Sequence, residues 1–167
     1  MINLEREAAR VSQAILKHIG TTVKKGKLQA KDLERLTTNA LAVLQEQGLY
    51  AFFLYLFCRS GAESEETKLE AQELGSCIIV TQLMGLVIQL GLVDQVESEE
   101  LRVFLRKGYN EKPAQVNKLK PEILELVSQQ ISTHLNQLLL VKTFFERVLI
   151  YTRYGAKAIT SSAAGGS

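Results

Sequence analysis

Residues 121–158 read PEILELVSQQISTHLNQLLLVKTFFERVLIYTRYGAKA. In this stretch Leu124, Val127, Ile131, His134, Leu138, Val141, Phe145, Val148 and Thr152 follow one another at intervals of three or four. That spacing returns a side chain to the same face of an α-helix at each turn, and it predicts a helix with one continuous buried stripe. Pro121 suits a first helical position, where its missing N–H costs nothing, and the predicted helix runs from there to about Lys157. From Leu138 onward Leu139, Leu140, Phe144, Ile150, Tyr151 and Tyr154 extend the apolar surface round most of the circumference. This half of the helix is either central or an interface, and Phe144, Ile150, Tyr151 and Tyr154 are its candidate partner-facing residues.

The same period continues toward the N-terminus. Asn3 is a good N-cap for a first helix in which Leu4, Ala8, Val11, Ile15 and Ile19 form the apolar stripe and Arg6, Arg10 and Lys17 share the opposite face. Gly20 ends that helix, and Lys24, Lys25, Gly26 and Lys27 make a strongly positive loop. A second helix from about Lys31 buries Leu33, Leu36, Ala40, Leu41 and Leu44, and Gly48 breaks or bends it. Leu49 to Cys58 is apolar nearly all round, as a core helix is.

Glu63, Glu65, Glu66, Glu70 and Glu73 lead into the next helix, and the run from Leu74 to Val93 carries no charge. The run is long enough to span a bilayer. Gln82 and Gln89 nevertheless share a face with Gly75 and Gly85 near it, a pattern that a buried helix crossed closely by another backbone explains at least as well as lipid does. No polybasic flank sets an orientation, so no membrane is expected among the partners. Ser98, Glu99 and Glu100 start a short helix that Arg106, Lys107 and Gly108 finish, and a connection over 109–120 carries Lys112, Lys118 and Lys120.

The expected fold is therefore all-α, a single compact bundle of about six helices over 1–160 with a flexible tail at 161–167. A chain of 167 residues with 46% hydrophobic and 23% charged residues is globular in composition and large enough to bury one core. Cys58 and Cys77 lie in apolar runs and read as small buried hydrophobes. Nothing at the N-terminus reads as a signal peptide, so a reducing cytoplasm is the expected compartment.

Chemistry is hard to place on this chain. There is no glycine-rich phosphate loop, paired-histidine zinc helix or nucleophile elbow, and Cys58, Cys77, His18 and His134 show no ligand spacing. His134, on the apolar stripe, reads as a hydrogen-bonded core histidine, and the glutamate run as a solvated helix start. No enzymatic activity, cofactor or metal is expected. The net charge is only +2, so any electrostatic footprint must be local. Its candidates are the Arg6, Arg10, Lys17 face, the Lys24, Lys25, Lys27, Lys31 cluster, and Arg147, Arg153 and Lys157 on the last helix. Each alone is ordinary solubilising surface; together they have the donors and charge needed to follow a phosphate backbone without reading sequence.

Two segments together resemble the small subunit of Cmr-type (type III-B) CRISPR effector complexes. In residues 33–61, LERLTTNALAVLQEQGLYAFFLYLFCRSG, the match is carried by Gln45, Gly48, Leu49, Phe52 or Phe53, Leu56 and Gly61. In residues 138–158, LLLVKTFFERVLIYTRYGAKA, it is carried by Phe144, Phe145, Arg147 and Ala156. The matched segments cover about a third of the chain. Ala8, Ala9 and Val11 stand where the family often has a tyrosine-alanine pair, Glu146 precedes Arg147 where it has a basic pair, and Glu63 to Gly108 is longer and more apolar. The equivalent small subunit of another class 1 system, including a DNA-targeting one, thus stays open.

The resemblance implies a non-catalytic subunit whose copies stack along the guide-bound backbone of the complex, beside other effector subunits. Its basic surfaces would touch guide RNA and target RNA or DNA, with specificity left to base pairing. The competing class is a helical adaptor or oligomerisation module unrelated to nucleic acid, with Leu138 to Tyr154 as its binding surface.

Overall fold

The computed structural model describes residues 3–60, 70–93, 96, 98–107 and 113–165. The Arg6 backbone N–H donates to the Asn3 side chain at 3.1 Å, and this cap opens α1 (Leu4–Leu16). Its buried face is Ala8, Val11, Ser12, Ile15 and Leu16, with Leu4 and Ile19 packed at the margin. The segment read as a loop instead forms a two-stranded antiparallel hairpin, β1 (Thr22–Val23) and β2 (Gly26–Lys27). Val23 and Leu28 turn inward and anchor it, while Lys24, Lys25 and Lys27 stay exposed.

α2 (Ala30–Gln47) begins with a capping box between Gln29 and Asp32, in which the Gln29 N–H donates to Asp32 at 3.3 Å. Gly48, at φ 90° and ψ −176°, both ends α2 and starts α3 (Leu49–Arg59). No L-residue is comfortable in that conformation, so the break read from the sequence is dictated by the backbone. Ser60 Oγ and Lys120 Nζ both donate to the Phe57 carbonyl at 3.1 Å and satisfy the end of α3.

α4 (Ala71–Gln89) starts with a second capping box, in which the Glu70 N–H donates to Glu73 at 2.9 Å. The other glutamates of the acidic lead lie outside the described residues. Leu74 to Thr81 are buried without interruption, because α4 is covered by α1, α2 and α3 and by two later helices, α5 (Glu99–Lys107) and α6 (Pro113–Leu126). It is the one described helix long and apolar enough to cross a bilayer, and 67% of its apolar window is buried within the protein. The glycines allow the close crossings: a Cβ on Gly85 would lie 3.0 Å from the Leu105 carbonyl oxygen, and one on Gly75 2.8 Å from a Leu36 methyl.

The Leu101 N–H donates to Ser98 Oγ at 3.2 Å at the head of α5, as its end signals predict; Gly108 and Lys112 lie outside the described residues. The long helix expected from Pro121 is broken in two. α6 begins at Pro113, so Pro121 lies mid-helix on the exposed face. A π-helical turn follows at Val127–Ile131, closed by the Ser132 N–H donating to the Val127 carbonyl at 2.9 Å. α7 (Leu135–Ala164) starts only after His134, which is extended at φ −115° and serves as its N-cap. His134 is exposed and is not the core histidine expected. α7 continues to Ala164, past the boundary expected at 160, with Ser161–Ala164 exposed.

α7 packs on α1 and α2. Lys142 Nζ donates to the Gln45 carbonyl near the end of α2, and Gly155 abuts Leu16 just before the hairpin that leads into α2, so α2 and α7 run antiparallel. Phe145 enters the core between Phe52 and Phe53, each ring centroid 6.0 Å away. The described residues thus hold seven α-helices, one π-helical turn and one small hairpin, the all-α bundle expected with one helix more than foreseen. Cys77 is buried, whereas Cys58 points off α3 into solvent and is no core hydrophobe.

Candidate nucleic-acid interface

The amphipathic packing of α1 forces its polar face outward, and Arg6, Arg10 and Lys17 are all exposed. Arg10 is engaged: its Nε donates to Glu7 and its Nη2 to Gln89 of α4, both at 2.8 Å. It thereby lines a groove of about 520 Å³ with Thr81, Gln82 and Arg106.

A second groove, about 500 Å³, forms where the hairpin, the start of α2, the end of α3 and the start of α4 converge. Lys25, Lys27, Arg35 and Arg59 line it, facing Asp32, Glu70 and Glu73. Lys25 Nζ sits 2.8 Å from Glu70. This hydrogen bond, and then the charge attraction, raises the Lys25 pKa and lowers that of Glu70, to which Lys24 adds a smaller attraction. Both groups are open to water, so the pair is screened and contributes little to stability. Lys31 is exposed on the first turn of α2.

On α7 Arg147 and Lys157 are exposed, and Arg153 is half-buried with its guanidinium 5.9 Å from the Tyr154 ring centroid. The three basic clusters do not share one groove. Arg10 and Lys25 line different grooves, and the α7 cations belong to neither.

The candidate partner-facing residues divide as well. Phe144 is 2% exposed and belongs to the core, because α1 and α2 both press on α7 and use more of its circumference than one packing face would. Ile150 and Tyr151 are half-buried against the core, Tyr151 donating to Glu5 at 3.5 Å. Only Tyr154, 61% exposed, stands free of the core. Leu135 and Leu139, at the head of α7, are the more open apolar residues there, at 67% and 52%.

Arg35 and Arg59 were not singled out from the sequence. They are far apart in the chain, and each alone reads as a helix-surface cation; only the packing of α2, α3 and α4 brings them to one groove. Arg59, the single charge in α3, was the available signal. Among the described residues no three histidine, cysteine or carboxylate side chains group so as to hold a metal ion. The fold and its surface define a helical bundle in which, among the described residues, basic side chains line two grooves and Glu122 and Glu125 line a third. No family model, curated protein or solved structure matches the chain.

Proposed function

We propose that this chain is a non-catalytic small subunit of a multisubunit RNA-guided CRISPR effector complex. It would stack along the guide-bound backbone and touch the guide–target duplex or a target strand through its basic surfaces, without sequence specificity. The observation that supports this reading most is the packing of Phe145 between Phe52 and Phe53, which joins in one core the two segments that carry the resemblance. Gly48, also part of the resemblance, sits at a break that demands glycine. The exposed cations provide phosphate contacts that release counterions and read no bases.

The test is to replace Lys24, Lys25 and Lys27 together with alanine and measure duplex and single-strand binding by the assembled complex across a salt series. The log–log slope should fall by about one per lost contact. An unchanged affinity and slope would reject the hairpin as a contact. The same result for Arg6, Arg10 and Lys17 would turn the reading toward the second one, a helical adaptor. Leu135 and Leu139 favour that alternative, since open leucines on adjacent turns of one helix are suited to a protein partner. Its mark is self-association that persists in high salt and is lost in Leu139→Glu.

A further inference from the structure

We infer that the groove between the hairpin, the end of α3 and the start of α4 is a seat for a nucleic-acid phosphodiester backbone, with Arg35 and Arg59 contacting phosphate and Glu70 acting as an internal competitor for Lys25. The inference rests on the nucleic-acid reading above and deepens it.

The carboxylates of the groove differ in whether they also hold one of its cations closely. Asp32 and Glu73 each accept a backbone N–H in a capping box, Asp32 from Gln29 at 3.3 Å and Glu73 from Glu70 at 2.9 Å. They are committed to starting α2 and α4. Glu70 belongs to the α4 capping box too, but of the three it is the one closely paired with a cation of the groove, Lys25, across an exposed contact that salt and a competing anion weaken. Its displacement leaves Lys25 facing the groove beside Lys27, which forms no ion pair among the described residues.

The arginines are placed to receive the anion. The Arg59 guanidinium lies 4.9 Å from the Tyr55 ring centroid and also donates to Gln72 Oε1, so its plane is fixed by two neutral partners, and it forms no ion pair among the described residues. Among the described residues Arg35 has only a loose ion-pair partner, Asp32 at 3.9 Å, and its side chain is 61% exposed. A guanidinium offers paired N–H donors that match two phosphate oxygens, and a fixed one loses less freedom on binding. The cations come from the hairpin, α2 and α3, spread along an open trough instead of gathered round an enclosed cavity, which fits a ligand with repeated charges. Among the described residues the groove lining holds no aromatic side chain on which a base could stack.

The experiment uses the full chain with a labelled oligouridylate and a labelled RNA duplex, in fluorescence anisotropy from low to moderate salt. Glu70→Gln keeps the shape and an acceptor for the α4 cap while removing the charge. It should tighten binding by roughly threefold to tenfold at low salt, with the gain fading as salt rises. Arg35→Ala, exposed and safe for folding, should weaken binding and lower the salt slope by about one. Arg59→Lys, which keeps the charge but not the fork, should also weaken binding. Wild-type binding that is indifferent to all three changes would overturn this groove and leave the broader reading standing. No binding of either probe by the wild type would overturn both. Equal binding of polyglutamate, with the same response to Glu70→Gln, would assign the groove to an acidic protein instead.

Discussion

Gly85 in α4 lies against the backbone of α5 so closely that a methyl group on it would sit 3.0 Å from the Leu105 carbonyl oxygen. A backbone carbonyl of a packed helix gives way less readily than the end of a side chain. Gly85→Ala should therefore destabilise the bundle by about 1 kcal/mol or more, although alanine gains up to about 1 kcal/mol of helix propensity over glycine. Gly155→Ala is the informative comparison. Its new methyl would lie nominally closer to its neighbour, 2.4 Å from Leu16 Cδ1, but that atom is the end of a side chain able to change rotamer. We expect Gly155→Ala to be nearly neutral and the larger loss to fall on Gly85→Ala, read from urea midpoints.

Phe144 and Tyr154 occupy the same helix with opposite consequences. Phe144 is 2% exposed and Tyr154 61%. Truncating the first to alanine should cost about 3–5 kcal/mol, enough to unfold a marginal domain. Truncating the second should stay within about 0.5 kcal/mol. Thermal melts of the two variants check the division between core and surface on α7.

The two cysteines should behave as differently. Cys58 is exposed and Cys77 buried, and burial pushes the Cys77 thiol from its ordinary value of 9.0 up to about 12. A thiol reagent should label Cys58 in the native protein and Cys77 only on unfolding. The shift also has a sign for stability. Above pH 9.0 the unfolded thiol loses its proton while the folded one keeps it until about 12, so the folded state holds more protons and stability falls as pH rises through that window. The loss is on the order of 1.4 kcal/mol per pH unit for this group. Comparing denaturant melts of the wild type and Cys77→Ala from neutral to alkaline pH isolates it, since every other titrating group is common to both.

Much of this fold was legible because single residues made local decisions. Asn3, Gly48 and Ser98 each mark a helix boundary through a cap or a backbone conformation, and each does so in the structure. The long C-terminal helix misled for a physical reason. The π-helical turn at Val127–Ile131 and the extended His134 interrupt it, yet Leu124, Val127 and Ile131 on one side and Val141, Phe145 and Val148 on the other still pack into the same core. The apolar period therefore survives the break, and a prediction that follows apolar residues passes straight over it. The hairpin escaped because two-residue strands are too short to show alternation. The groove escaped because Lys25, Arg35, Arg59 and Glu70 meet only through the packing of three helices, which no local pattern encodes.

Gly48 offers the sharpest test of the backbone. At φ 90° and ψ −176° it occupies a region open essentially to glycine alone, distinct from the left-handed helical region that asparagine also tolerates. Nothing lies within 4 Å of where its Cβ would be, so a substitution there meets no clash and its cost is that of the backbone. Gly48→Ala should lose about 1–3 kcal/mol, and Gly48→Asn should lose a similar amount, without the rescue asparagine brings at an ordinary helix C-terminus. Because the residue joins α2 to α3, the alternative open to the variant is to let α2 run on as a continuous helix. That would draw Leu49, Phe52 and Phe53 away from Phe145, so the loss should come with weaker near-ultraviolet dichroism from the aromatic cluster while helix content holds or rises. Equal stability of the asparagine variant and the wild type would show that the junction relaxes into the left-handed region at no cost.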